Sequence, residues 1–324
     1  MSEASAVAVE MLWEQGAPEE ILASRFGFEG TDAASRWVLE MLERHWGIHA
    51  EVCERIVMSD HNALAWVRAA DEILLLKWSI APQHFPRLAA VAELTNWLAS
   101  RGIPVSALVP ALDGSVQVES GSVSMGLQHK IEGTMLDAAD DAQVYAAGVA
   151  LARLQEALRE YPDAERIPGI ESSGKPLADR VTGWLSSCPD HVPEAARAAL
   201  RRRVDAAPAD ELPVQLVHFD YRAANILWTS GEVAAILDFE EAWLDHRVVE
   251  LARSAVLLGT VFHDWSPVST EVRNRFRAGY ESESPLTVVE AAWWDALVLW
   301  FSLAMIPAGD DPQGWGAAAL SQLS

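Results

Sequence analysis

Val217–Ala242 reads VHFDYRAANILWTSGEVAAILDFEEA. Ile226-Leu227-Trp228 and Val233 to Leu237 have the composition of two short strands, and Thr229-Ser230-Gly231-Glu232 between them reads as a turn. His218, Asp220 and Asn225 precede this apolar hairpin, and Asp238 follows it. Asn225 and Asp238 are symmetric about a point between Gly231 and Glu232, so they are expected opposite each other, with Cα atoms about 4.5–5.5 Å apart. An amide oxygen and a carboxylate side by side are hard ligands that suit Mg²⁺, which shares its other positions with phosphate and water. Asp220 lies on the loop entering the same end, where a carboxylate can orient a hydroxyl and accept its proton. Asp and Asn near turns often only cap backbone groups. Four such residues gathered at one hairpin end argue for chemistry.

Working outward, the 324 residues suffice for two lobes, each with its own core. Half the residues are hydrophobic, as in a globular chain. The net charge of −23 repels phosphate backbones and anionic lipid, so neither a nucleic acid nor a membrane is an expected partner. A cationic small molecule suits such a surface, although acidity also serves solubility. Cys53 and Cys188 fit no metal or redox spacing, and the N-terminus lacks the basic start of a signal peptide, so a reduced cytoplasmic setting is expected. No segment has the apolar length of a membrane span.

Residues 4 to 46 read as helices ending at Gly47. From Ala50 the period changes. AEVCERIVM, ALAWVRAA and DEILLLKWS predict an antiparallel meander, followed by a helix from Pro86 to Ser100 and strands near Ser115–Glu119 and Ser122–Ile131. From Ala138 the chain is mainly helical apart from the hairpin: Ala142–Tyr161, Pro176–Leu185, Pro193–Asp205, Val248–Phe262, Glu271–Ser282 and Val288–Ile306. The expected division is a helical cap over 1–49, a β-rich lobe over 50–131 and a helical lobe over 132–324.

HFDYRAANIL followed by ILDFEEAWLDHRVVELA resembles the catalytic segment of the aminoglycoside phosphotransferase and choline-kinase-like family of small-molecule kinases. That pattern is His-Gly-Asp-x4-Asn, an apolar hairpin ending in Asp, then an acidic residue before Leu-Ala opening a helix. The resemblance implies an α+β, bilobal protein-kinase-like fold, with an antiparallel-sheet N-lobe and a mainly helical C-lobe. It implies Asp220 as catalytic base, Asn225 and Asp238 as magnesium ligands and His218 as the residue bracing the loop. Phe219 stands where the family has Gly, and Glu250 where Asp is commoner.

The chain has three lysines, Lys77, Lys130 and Lys175. Lys77 ends the run Ile73-Leu74-Leu75-Leu76, which fits either a snorkelling strand-end lysine or, on the resemblance, the contact to the nucleotide's α- and β-phosphates. Glu93 is the candidate partner carboxylate, two residues off the family register. No GxGxxG loop occurs, so Ser59 to Asn62 is the expected phosphate-covering loop, acting through backbone N–H groups. Gln128 to Glu132, including Lys130, is the expected linker facing the adenine.

Gly169 to Pro176 nearly spells a Walker A loop, but Pro176 lacks the hydroxyl that Mg²⁺ requires there. His218, Asp220, Asp238, Asp245 and His246 are the residues a metal-dependent hydrolase would use, a reading that leaves Asn225 and Lys77 unexplained. Trp293, Leu297 and Trp300 share a helix face, ordinarily core packing. Trp294 or Trp265 is the alternative as a substrate wall.

The expectation is therefore an enzyme that uses ATP, with GTP left open, and Mg²⁺ to phosphorylate a hydroxyl of a small molecule. An aminoglycoside-like antibiotic or an amino-alcohol, if cationic, would pair with Glu240, Glu241 and Asp245; helix capping by Asp245 is the competing reading. A catalytically weak nucleotide-binding regulator is the alternative, favoured by Phe219 and the register of Glu93. Either a monomer or a homodimer is compatible with the sequence.

Overall fold

The computed structural model describes residues 7–170, 174–208 and 212–323. Residues 4–6 of the expected N-terminal helical stretch and 171–173 of the Walker-like stretch lie outside these. The chain forms two compact units. One runs to Ile131 and takes in Glu165–Gly169; the other comprises Glu132–Ala164 and the chain from Ile170 onward.

The first unit contains β1 (Ala8–Met11), α1 (Pro18–Ser24), α2 (Thr31–Trp46), β2 (Val52–Met58), β3 (Asn62–Ala69), β4 (Glu72–Ser79), α3 (Phe85–Ser100), β5 (Val118–Ser120) and β6 (Val123–His129). Its six strands pair in the order β1-β2-β3-β4-β6-β5. The meander read from alternating apolar residues is present, with β3 burying every second side chain. One expectation changes: residues 8–11 are strand, not helix. β1 runs parallel to β2, Ala8 opposite Arg55 and Met11 opposite Met58. The short alternation Val9, Met11 packs its partly buried side chains on the core, and Arg55 bonds Glu10 at 2.6 Å across the pair. A four-residue segment gains more by completing a sheet edge than by nucleating a helix turn.

α2 ends at Gly47, whose φ of 66° places it in the left-handed region. Its Val38 and Leu42 are fully buried with Ile56, Val67, Leu76 and Trp78 of the sheet. Trp78 meets Trp37 at 5.3 Å between ring centroids.

The second unit contains β7 (Thr134–Met135), α4 (Asp141–Arg159), α5 (Leu177–Ser186), α6 (Glu194–Ala206), β8 (Gln215–Val217), β9 (Ile226–Thr229), β10 (Glu232–Ile236), β11 (Trp243–Asp245), α7 (Arg247–Leu257), α8 (Thr270–Glu283), α9 (Val288–Ala304) and α10 (Trp315–Leu320). The expected helices are all present, within a few residues at their ends. β7, β8 and β11, of two or three residues each, are too short to show a period. The strands form two small sheets, β10-β9-β7 and β11-β8. α4 and α8 approach backbone to backbone: a Cβ on Gly148 would overlap the Phe276 carbonyl, and one on Gly279 the Tyr145 carbonyl. α9 buries Trp293, Trp294 and Leu297, so Trp294 is core and no substrate wall. No described helix is long and apolar enough to cross a membrane. The fold is α+β, with an antiparallel-rich sheet unit and a helical unit.

Candidate active site

β9 and β10 meet through a two-residue turn, Ser230 (φ 50°) and Gly231 (φ 93°), with Thr229 opposite Glu232. Positive φ at both positions matches the right-handed twist of the strands. The register slips by one between Val233 and Ala235, so Ile236 faces Ile226, and Leu237 N donates to Asn225 O at 2.8 Å. This corrects the expected symmetry. Asn225 faces Leu237, and Asp238 is the next residue, with φ 62° turning the chain away. The bulge that moves the register is invisible to residue counting because it adds one residue to one strand only.

His218 is fully buried. Its Nε2 bonds the Leu237 carbonyl at 2.9 Å and its Nδ1 accepts from Asp220 N at 3.2 Å. A carbonyl only accepts and an amide only donates, so the ring is neutral with its proton on Nε2. Burial holds its pKa below the usual histidine value. His218 thus ties the loop carrying Asp220 to the hairpin end carrying Asp238.

Asn225 Nδ2 donates to Asp220 Oδ2 at 2.7 Å and to its carbonyl at 2.9 Å. No described group donates to Asn225 Oδ1. That oxygen and the exposed Asp238 carboxylate fit a hard divalent cation. Among the described residues no cluster of three or more His, Cys, Asp or Glu side chains could hold a metal ion. A cation held here would need its remaining ligands from substrate and water.

Phe219 keeps the family's turn without the family's glycine. Its φ is 68°, a left-handed conformation rare for a bulky residue. α7 holds it on both sides: Phe219 N donates to Glu250 Oε1 at 2.7 Å, and Arg253 donates to the Phe219 carbonyl. The Arg253 guanidinium also lies 4.6 Å from the Phe219 ring centroid. Glu250 and Arg253, three residues apart, share one face of α7. Behind them Gln155 Nε2 donates to Glu250 Oε2 at 2.6 Å, and Tyr280 Oη donates to Gln155 Oε1 at 2.6 Å. Burial pushes the Glu250 carboxyl up to about 7. The loop is fixed further along by Ala223 N to Leu258 O at 2.8 Å and Tyr221 Oη to Ala147 O at 2.8 Å.

Arg222 and Arg253 went unnoticed in the sequence. Arg222 Nε donates to Asp220 Oδ1 at 3.0 Å and Oδ2 at 3.2 Å, and its guanidinium lies 5.1 Å from the Trp265 ring centroid. The signal was its place two residues after Asp220. Gln155 was legible as the lone polar residue in the apolar stripe Leu151, Leu154, Leu158 of α4.

The other expected site residues are divided between the two units. Asp245 is buried and bound through both oxygens to Arg180, at 2.6 Å each. It cannot pair with a substrate cation, nor does it cap α7, whose N-cap is His246. The hydrolase alternative loses the same group. Glu241 is exposed and Glu240 half-buried, just past Asp238. In the first unit, Lys77 lies half-buried on the central strand β4, between Leu64 of β3 and Gly126 of β6. Glu93 is exposed on α3 and has no ion-pair partner among the described residues, so the expected pair with Lys77 is absent. Val91, Leu94 and Thr95 hold the buried side of that helix. Ser59 N is spent on Asn62 O at 2.8 Å, closing a tight turn, so that N–H of the expected phosphate-covering loop is already bonded. Lys130 N is likewise spent on Ile73 O at 3.0 Å.

A family profile described as the phosphotransferase enzyme family matches residues 55–293, which span this site. The chain belongs to the phosphotransferase enzyme family. A search of curated proteins found no match. Among solved structures the phosphotransferase is similar to a macrolide 2′-phosphotransferase from Brachybacterium faecium, at 17% identity and TM-score 0.57, over 89% of this chain and 97% of that one. It is also similar to a microcompartment-associated aminopropanol kinase, at 19% identity and TM-score 0.53, over 89% and 94% of the two chains. Spectinomycin phosphotransferase in complex with ADP and spectinomycin gives 14% identity and TM-score 0.52, over 89% and 98%. At such identities the likeness establishes a shared fold.

Proposed function

We propose that this phosphotransferase moves the γ-phosphoryl group of ATP to a hydroxyl of a small molecule, with Asp220 as the base. The carrying observation is the bonded set His218, Asp220, Asn225 and Leu237. It holds one carboxylate beside an amide oxygen without a donor, one residue from a second, exposed carboxylate. Asp220 orients the acceptor hydroxyl and takes its proton as the oxygen attacks. Asn225 Oδ1 and Asp238 are the residues that would hold Mg²⁺. When bound, that ion neutralises charge on the phosphates. Lys77, a half-buried cation on the central strand, is assigned to the α- and β-phosphates. Catalysis of this kind is mostly positioning and charge neutralisation. The left-handed turn at Phe219 answers one of the two grounds for a regulator without activity, the register of Glu93 being the other.

For the acceptor we favour a hydroxylated amine. Glu240 and Glu241 follow Asp238 directly, and the chain carries a net charge of −23. The test is ADP release with ATP and Mg²⁺ across a panel of amino-alcohols, aminoglycosides and macrolides. At least one acceptor is expected to give turnover that Asp220→Asn lowers by about 10²-fold or more. Absence of a Mg²⁺-dependent rise in melting temperature with ATP or GTP would overturn the reading.

A further inference from the structure

Both oxygens of Asp220 are occupied. Oδ2 accepts from Asn225 Nδ2 at 2.7 Å, and Arg222 Nε sits 3.0 and 3.2 Å from the two oxygens. The carboxylate keeps further lone pairs, and 19% of the side chain is exposed, so a hydroxyl can dock on it while Arg222 is still in place. The guanidinium is only partly used where it rests. Its Nη1 makes one 3.5 Å contact with Thr260 O, and its Nη2 has no partner among the described residues. Yet it is well enclosed, with 11% of the side chain exposed, and lies against the half-exposed Trp265 ring. Trp265 is itself anchored, its carbonyl accepting from Trp315 Nε1 at 2.7 Å. Arg253, the other cation near Asp220, is held by the Phe219 carbonyl and ring and is 3.9 Å from the carboxylate. Of the two, Arg222 is the one placed to change partners.

We infer that Arg222 is a second catalytic residue, which leaves Asp220 for the phosphoryl group during transfer. This rests on the function proposed above. In the step, the acceptor oxygen bonds the γ-phosphorus, and the bond from that phosphorus to the β,γ-bridging oxygen breaks. Its electron pair stays on ADP, and the hydroxyl proton passes to Asp220. Protonation cancels the charge that held Arg222. At the same moment negative charge gathers on the oxygens of the transferring group. The guanidinium follows the charge, and Trp265 keeps its plane oriented as it moves. An arginine used in this way acts on the transition state and leaves nucleotide binding alone.

The test compares ADP·Mg²⁺ with ADP·Mg²⁺·fluoroaluminate, a mimic of the transferring phosphoryl group, by calorimetry. Wild type, Arg222→Met and Arg222→Lys are measured, each first checked for its ligand-free melting temperature. Fluoroaluminate is expected to tighten ADP binding to wild type. Arg222→Met should bind ADP·Mg²⁺ within about twofold of wild type and lose about tenfold or more of the fluoroaluminate gain; Arg222→Lys should fall between. A full gain in Arg222→Met would overturn the inference and leave Arg222 a structural partner of Asp220. So would wild type binding ADP without any fluoroaluminate gain. Wild type that binds no nucleotide at all would instead overturn the function on which the inference stands.

Discussion

Two loops were expected to serve phosphate chemistry, and they are built differently. The β2–β3 turn is tight and unstrained: Ser59 N and Oγ both reach Asn62 O, Ser59 O and His61 O accept from Arg25 and from Ile80 N, and no residue from Ser59 to Asn62 has a positive φ. The loop from His218 to Asn225 carries a left-handed Phe219, and the chain beyond its hairpin a left-handed Asp238. Its bonds run outward, to Leu237, Glu250, Arg253, Leu258 and Ala147. A turn in ordinary backbone conformations needs no bracing to hold its shape. A loop held in sparsely populated backbone conformations by several elements has been positioned, and such strain gathers at functional sites.

The largest effect expected from breaking this contrast is at Asp220. Asp220→Asn should lower phosphoryl transfer about 10²- to 10⁴-fold while leaving the melting temperature nearly unchanged, as read by ADP release and thermal unfolding. Next is the support behind the loop. Glu250→Leu removes the acceptor of Phe219 N and leaves Gln155 Nε2 with a buried vacancy. A loss of about 2–3 kcal/mol is expected in urea unfolding.

The same residue gives a pH signature. The folded state holds the Glu250 proton up to about pH 7, more tightly than the unfolded chain. Its contribution to stability is therefore complete below about pH 4 and is lost as pH rises through the folded value. Glu250→Gln keeps an acceptor and cannot ionise. Melting temperature measured across that window should fall less steeply in this variant than in wild type.

Phe219 sharpens the comparison at smaller scale. Phe219→Gly relieves the left-handed strain but forfeits the contact with Arg253, two terms of about 1 kcal/mol and opposite sign, so little net change is expected. Phe219→Ala forfeits the contact and keeps the strain, and should cost about 1 kcal/mol or more. Equal destabilisation by both would show that backbone strain is unimportant here. The smallest effects belong to the first unit. Glu93→Gln and Ser59→Ala should leave ATP·Mg²⁺ affinity unchanged by calorimetry, since Glu93 faces solvent and the N–H of residue 59 is already bonded.

Much of the candidate site was legible because it is local. His218, Asp220 and Asn225 lie within eight residues, and Asp238 follows a hairpin whose turn residues announce themselves. Glu93 and Ser59 failed for the opposite reason. Each depended on a helix phase or a backbone bond that neighbouring segments decide. Arg222 escaped notice although it lies inside the motif, because a lone arginine carries no period and its partner Trp265 is 43 residues on by subtraction of their numbers.

By itself the sequence determined the meander, the long helices and the hairpin with its four polar residues, since these follow from side-chain period and turn chemistry over a few residues. Only the tertiary structure decided the one-residue bulge that sets Asn225 against Leu237, the commitment of Asp245 to Arg180, and the clamp of Glu250 and Arg253 on Phe219. Those depend on which buried polar groups find partners. A buried donor or acceptor must be satisfied by whatever the fold brings beside it, and that neighbour is set by packing across the whole unit.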